Sequence, residues 1–464
     1  MSSAMERAFG RGGVLLAGLP IACLLGVAGV GVVMGVKAAF PQWMLDLLPM
    51  QVLQPLHAFL GVAFVLSGLV CGLVIMLRRE CGGFRGDGLI APAMLAFVLG
   101  STAAIVAGRG SGVEYIGWPV GMSLFLGLVF LSLTAAVLSH LSTLSARTPE
   151  GAWLLVIGLV LVALGLGERS VEIMARPELT RSLTVEWHAL DTFFAGWNSA
   201  LYGLGMVAVM RPGDQGRRLR GRWLFVLAVF CLLSTFSHHH YMSAQPSLLK
   251  WIALTASMLA AVSFARHVWA ILISWGKHRG GPPERAFFIA AEVWTLVAVG
   301  SGILLAVPQL NIWLHGTTAI VSHSMGSMIG VNVMIVMGTL VRYGCVPDAA
   351  LALRMTRRVR WTGVALVAVC LDLLLAGAVE GVLRTGDTFQ EYDPIVRLWL
   401  IPMPVLGLGL AIALALLCRE VWVGLNGRAG LPRAAGYEDV RVVVELKPAQ
   451  TVTRQAGSAL EVGV

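Results

Sequence analysis

Residues 52–77 read VLQPLHAFLGVAFVLSGLVCGLVIML, followed at once by Arg78 and Arg79. No Asp, Glu, Lys or Arg interrupts the run, and it exceeds the roughly 20 apolar residues an α-helix needs to cross a bilayer. Runs of the same kind recur along the chain at 12–36, 52–77, 88–108, 116–144, 151–168, 186–210, 222–245, 248–276, 286–308, 313–342, 361–384 and 395–423. The expected fold class is therefore an all-α polytopic membrane protein with twelve transmembrane helices over residues 12–423. A short N-terminal stretch, 1–11, precedes them, and a polar tail, 424–464, follows. Composition agrees. Apolar residues make up 57% of the 464, charged residues 13%, and the mean hydropathy is +0.80. That is too little charge to cover a soluble surface, which excludes a cytosolic enzyme, a disordered chain and a disulfide scaffold. The 54 glycines suit helices that approach closely in lipid.

The net charge of +9 is a membrane signature rather than a nucleic-acid footprint. Arginines and lysines follow the even-numbered spans: Arg78, Arg79 and Arg85; Arg211, Arg217, Arg218, Arg220 and Arg222; Lys277, Arg279 and Arg285; Arg342, Arg354, Arg357, Arg358 and Arg360. The positive-inside rule then puts these loops and both termini in the cytoplasm. The first run follows Arg7 and Arg11 but is too long for a signal peptide, so it reads as a helix. Seven scattered cysteines with no CxxCH exclude a covalent c-type heme on this chain.

In that topology His57, His188, the triplet His238, His239 and His240, and His323 lie on four different spans, all in the outer half of the membrane. Three adjacent imidazoles near a membrane helix end need a partner, and imidazole is a common ligand of Zn, Cu and Fe. His140, His267 and His278, on the cytoplasmic side, read as hydrogen-bonded packing residues. His315, at the outer rim, reads either as packing or as a partner for a polar group such as a heme propionate.

These residues carry a resemblance to the catalytic subunit of the heme–copper oxidase superfamily, in its branch of nitric oxide reductases and C-type oxygen reductases. Gln54-Pro55-Leu56-His57 is similar to the family's R-P-L-H segment, which implies His57 as an axial ligand of a low-spin heme b. Trp187-His188 with Phe193-Phe194 resembles the segment giving the first histidine of the non-heme metal. The triplet resembles the histidine pair that completes that metal's set. His323-Ser324-Met325-Gly326 falls where the family has H-x-H, which implies His323 on a high-spin heme b. Arg397 resembles the family arginine near the heme propionates, and an interfacial anchor is the plain alternative.

The departures from the pattern are as informative. Met325 replaces the low-spin heme's second histidine, and His/Met is a recognised axial pair that raises heme potential. Pro246 favours His238 and His239 as the metal pair, whereas Tyr241 favours His239 and His240. The stretch Phe230-Cys231-Leu232-Leu233 lacks the tyrosine that C-type oxygen reductases use in splitting O–O. The acidic metal ligand of nitric oxide reductases is replaced by Thr192, with Asp191 beside it, and Ala261 stands near the second expected glutamate. The metal is thus open between iron and copper. Asp372, Glu380, Glu292, Glu186 and Asp191 are further candidates, because burying an acid in a membrane is expensive.

The resemblance implies an enzyme of the bacterial inner membrane with its active site in the periplasmic half, reducing NO to nitrous oxide. A divergent terminal oxidase reducing dioxygen to water is the alternative, and a heme-binding paralogue without turnover is a third reading. Electrons would come from a donor subunit, a soluble cytochrome c or cupredoxin, or quinol. The other partner is membrane lipid, and no nucleic acid is expected.

Overall fold

The structure, a computed structural model, describes residues 12–44, 47–111, 115–146, 148–175, 189–209, 283–345, 347–384 and 389–427, with scattered positions between 226 and 262. Among the described residues every regular element is a helix. The principal ones are α1 (Gly13–Ala39), α2 (Met50–Cys81), α3 (Asp87–Val106), α4 (Val120–Ser139), α5 (Pro149–Ala175), α6 (Ala189–Val209) and α7 (Glu284–Leu305). They continue with α8 (Thr318–Gly344), α9 (Ala349–Arg384), α10 (Phe389–Leu400) and α11 (Met403–Asn426). Nine stretches among the described residues are long and apolar enough to cross a membrane. The protein is a multi-pass membrane protein. α6 is a further helix of 21 residues, diluted by Asp191, Trp197 and Asn198. The expected spans 222–245 and 248–276 lie mostly outside the described residues, as does the C-terminal tail from residue 428.

Three boundaries differ from the sequence reading. The run 313–342 is not one helix: Pro308–Leu314 forms a short helix, Gly316 turns with φ +72°, and α8 starts at Thr318 behind a Thr317 cap. The run 395–423 is broken at Ile401-Pro402 into α10 and α11. α9 begins well before residue 361, because Asp348 Oδ1 accepts the Leu351 N–H at 2.7 Å and caps a turn that holds the basic residues 354–360. Charge there ends the membrane span without ending the helix.

α2 is the central element, with every residue from Gly61 to Leu77 buried. It packs on α1, α3, α6 and α8, and α11 closes against α1 and α9. At the end expected to face the cytoplasm, ion pairs join neighbouring helices: Arg78 with Asp87 at 2.6 Å, Arg342 with Glu284 at 3.1 Å, and Arg354 with Glu420 at 3.0 Å. Toward the other end, Arg169 of α5 is fully buried. It donates to Ser123 Oγ, the Trp118 carbonyl and Ser111 Oγ, and lies over the Trp118 ring, pinning the approach to α4.

The tightest pair is α5 with α6. Gly151, Gly158 and Gly165 meet Ala189, Gly196 and Gly203 along an antiparallel seam, each small residue at heptad spacing. A Cβ on Gly165 would lie 2.7 Å from the Phe193 nitrogen, and one on Gly158 would fall inside the Ala200 backbone. Backbone cannot step aside as a side-chain end can. Gly158→Leu should therefore lower the thermal midpoint of the detergent-solubilised protein, destabilising it by more than the about 1–3 kcal/mol usual for overpacking. Gly407→Ala, where nothing lies within 4 Å, should leave that midpoint unchanged.

Candidate functional site

His57 lies two turns into α2. Gly31 of α1 packs on its ring, where a Cβ would sit 3.0 Å from Cε1. The Nδ1 atom of His57 is buried with no hydrogen-bond partner among the described residues. Two residues on, Phe59 opens an aromatic cluster: its ring is 5.9 Å from Phe97 and 5.8 Å from Trp118, and Trp118 is 6.3 Å from Phe193 of α6. These edge-to-face contacts tie the His57 segment to the first turns of α6, which carry Asp191.

His323 lies in the second turn of α8, nearer the helix start than the sequence reading put it. Its ring rests on α7: Nδ1 is 2.9 Å from Ser301 Oγ, and a Cβ on Gly302 would stand 3.2 Å from Cε1. The opposite rotation is closed by α9. Thr318 Oγ1 donates to the Leu373 carbonyl at 3.0 Å and Ser322 Oγ to the Cys370 carbonyl at 2.7 Å, while Glu380 accepts the Thr318 N–H at 3.3 Å. Glu380 also pairs with Arg384 at 2.6 Å. This carboxylate at a helix N-terminus is favourably placed against the helix dipole.

Met325 follows His323 by about 200° of helix rotation, so the two side chains leave α8 on different sides. Met328, three residues on and inside the π-helical stretch, touches α2, its Cε 3.4 Å from where a Cβ of Gly61 would be. α2 and α8 run parallel in a fixed register: Gly61 meets Met328, Gly68 meets Val336, and Gly72 meets Thr339. One turn toward the two helix starts, the same register puts position 325 at about the height of His57 along the pair. A π-helical segment, Gly326–Val333, starts directly after Met325. Trp294 of α7 is seated on Gly326 and Gly330.

Other expected residues fall as follows. Asp191 is half-buried in the first turn of α6, and Arg397 is half-buried in the last turn of α10. His315 stands in the turn before α8, its carbonyl accepting from Arg384 at 3.1 Å and its Nδ1 buried without a partner among the described residues. Burial, and after it the Arg384 guanidinium, pushes the His315 pKa down, so the ring is neutral at neutral pH. Glu380 belongs to the α8 start, and Asp372 lies mid-helix in α9. His140 contacts the Gly83 carbonyl at 3.2 Å, as a packing histidine should. His188, His238, His239, His240 and Ala261 lie outside the described residues, and no cluster of three or more metal-ligating side chains occurs among the described ones. Sequence reasoning missed Ser301, the glycines that set the α2–α8 register, and the seat of Trp294. Glycine spacing was the available signal for the last two, and Ser301 carried none.

Against this geometry, comparison with known proteins is informative. No family profile matches the chain. A nitric oxide reductase chain of Stutzerimonas stutzeri is 21% identical over 391 residues, covering 75% of this chain and 80% of that protein. A heme–copper terminal oxidase dimer solved by cryo-EM is similar in fold, with a TM-score of 0.63 at 14% identity over 92% of this chain and 84% of that chain. The chain thus has the fold of that terminal oxidase and resembles both proteins in sequence only at low identity.

The α2–α8 register is testable. A Cβ on Gly68 would lie 2.6 Å from Val336 Cγ1. Gly68→Ala alone should destabilise the solubilised protein by about 1–3 kcal/mol, and Gly68→Ala combined with Val336→Ala should recover most of that loss in thermal melts. Additive losses would show that the two positions do not meet.

Proposed function

We propose that this chain is the catalytic subunit of a membrane oxidoreductase that converts two NO, two electrons and two protons to nitrous oxide and water. The donor set fits the two hemes that this reading requires. His57 offers a buried Nδ1 without a described partner, beside a glycine where a Cβ would crowd the ring. Met325 stands at its level on α8, and His323 faces the other way with Nδ1 occupied by Ser301. In this reading His57 and Met325 would hold a low-spin heme b, His323 would hold a high-spin heme b, and Arg397 would serve as the cation for a heme's acidic groups. His188 and two of His238, His239 and His240 hold iron or copper. When bound, the hemes and metal supply single electrons and a Lewis-acid pair able to hold two NO. Asp191, with Glu186, takes protons from the outer face and delivers them toward His188. Electrons come from a donor subunit, cytochrome c, cupredoxin or quinol, since the chain has no CxxCH.

The choice of NO over dioxygen is carried by the tyrosine-free run Phe230-Cys231-Leu232-Leu233, because N–N coupling needs no O–O cleavage. The second reading, a terminal oxidase reducing dioxygen to water, is favoured by Tyr241, which directly follows His240 and is the tyrosine that would have to serve instead. The missing acidic ligands favour the third, a heme-binding paralogue without turnover.

The purified complex should form nitrous oxide from NO under anoxic conditions faster than it consumes dioxygen. Four-electron dioxygen reduction without nitrous oxide would establish the oxidase, and heme without either activity the paralogue. Replacing the thioether by imidazole is the sharper test of the ligands. Met325→His should lower the low-spin heme midpoint by at least about 59 mV, a tenfold change in preference for the oxidised form. It should also abolish the near-infrared charge-transfer band of ferric His/Met heme. An unshifted midpoint would make Met325 a packing residue.

A further inference from the structure

We propose that Ser301 is the positioning residue of His323: its hydroxyl accepts the Nδ1–H of the imidazole, fixes that tautomer and leaves Nε2 as the coordinating nitrogen. The inference deepens the proposed function and rests on its reading of His323 as the high-spin heme ligand.

Proton counting carries the argument. Ser301 Oγ has three polar neighbours: the Val297 carbonyl at 2.8 Å, the Ala298 carbonyl at 3.1 Å and His323 Nδ1 at 2.9 Å. It has one proton to donate. Both carbonyls can only accept. If the proton pointed at Nδ1, two carbonyl oxygens would face the hydroxyl's lone pairs at hydrogen-bonding distance with nothing between them. With the proton shared between the Val297 and Ala298 carbonyls, a three-centre form of the usual back-bond of a helical serine, a lone pair is left for Nδ1–H and every contact is satisfied. A neutral imidazole carrying its proton on Nδ1 has its lone pair on Nε2. The ring also rests on Gly302, where a Cβ would stand 3.2 Å from Cε1, so α7 fixes both the tautomer and the position of the ring.

The chemistry of the acceptor matters as well as its presence. A carboxylate in this place would draw the Nδ1 proton and make the imidazole a stronger donor to ferric iron. A hydroxyl already donating to a carbonyl is a neutral acceptor. It raises ligand basicity over an unbonded imidazole but less than a carboxylate would.

The test uses the full-length protein with its hemes, reading the ferrous iron–histidine stretch by resonance Raman and the high-spin midpoint by redox titration. Ser301→Ala should lower the stretching frequency and favour the reduced heme about tenfold, or about 59 mV. Ser301→Thr should keep wild-type values, and Ser301→Asp should shift both readouts the other way. Loss of high-spin heme in the alanine variant alone also supports the proposal, since second-sphere partners typically contribute about 10–100-fold to ligand affinity. Wild-type frequency and midpoint in Ser301→Ala, or a threonine variant shifted like alanine, would overturn it. Failure of the underlying reading looks different: His323→Ala would then keep the whole high-spin signal, whatever residue 301 is.

Discussion

Contact of helix backbone with helix backbone is the constraint on which this bundle depends. Lipid tails are as apolar as leucine, so burying a leucine between two helices gains little over leaving it in the membrane. What remains is close packing and the few hydrogen bonds that apolar surroundings protect. The α5–α6 seam is the extreme case, small residue against small residue at every heptad. The same device, one glycine against one larger side chain, sets α2 against α8 at Gly61, Gly68 and Gly72, and α7 against α8 at Gly326 and Gly330. Each pairing is a lock with one register. A helix displaced by one residue would drive a Cβ into a backbone or leave a void.

The hydrogen bonds add the rotation that packing leaves loose. Thr318 and Ser322 lie one turn apart on α8 and both donate to carbonyls of α9. Gly377 and Gly381 let α9 come close enough for that. With this face committed to α9, His323 is turned to α7. The placement of the histidine thus rests on residues that would never coordinate anything.

The membrane class, most of the helices among the described residues and the charged ends were legible in the sequence because lipid imposes them on each run separately. A span needs about 20 apolar residues whatever its neighbours are, and basic ends follow the same rule loop by loop. His57 and His323 stood out as candidates because an imidazole in an apolar run demands a reason. What was illegible depends on two helices at once. Ser301 is an unremarkable helical serine until His323 is placed against it. Gly31 is one glycine among 54 until His57 lies on it. The break before Thr318 was missed because Trp313 and Leu314 are as apolar as a span, while Gly316 alone supplies the left-handed turn that ends the short helix.

The π-helical segment of α8 shows why a single regular helix would not serve. Between Gly61 and Gly68, α2 advances seven residues, while α8 advances eight, from Met328 to Val336. At about 100° per residue, a regular α-helix that turned Met328 toward α2 would bring Ile335 back to that face, with Val336 rotated off it. The wide turn over Gly326–Val333 absorbs one extra residue. Val336 then meets Gly68, and Ile335 is released to pack on Gly205 of α6, where a Cβ would lie 3.2 Å from its Cγ2. The C-terminal half of α8 can therefore be locked between α2 and α6 without dictating how the N-terminal half is turned. That independence lets one helix hold His323 against α7 and Met328 against α2. The π segment begins immediately after Met325, where the two demands on α8 part.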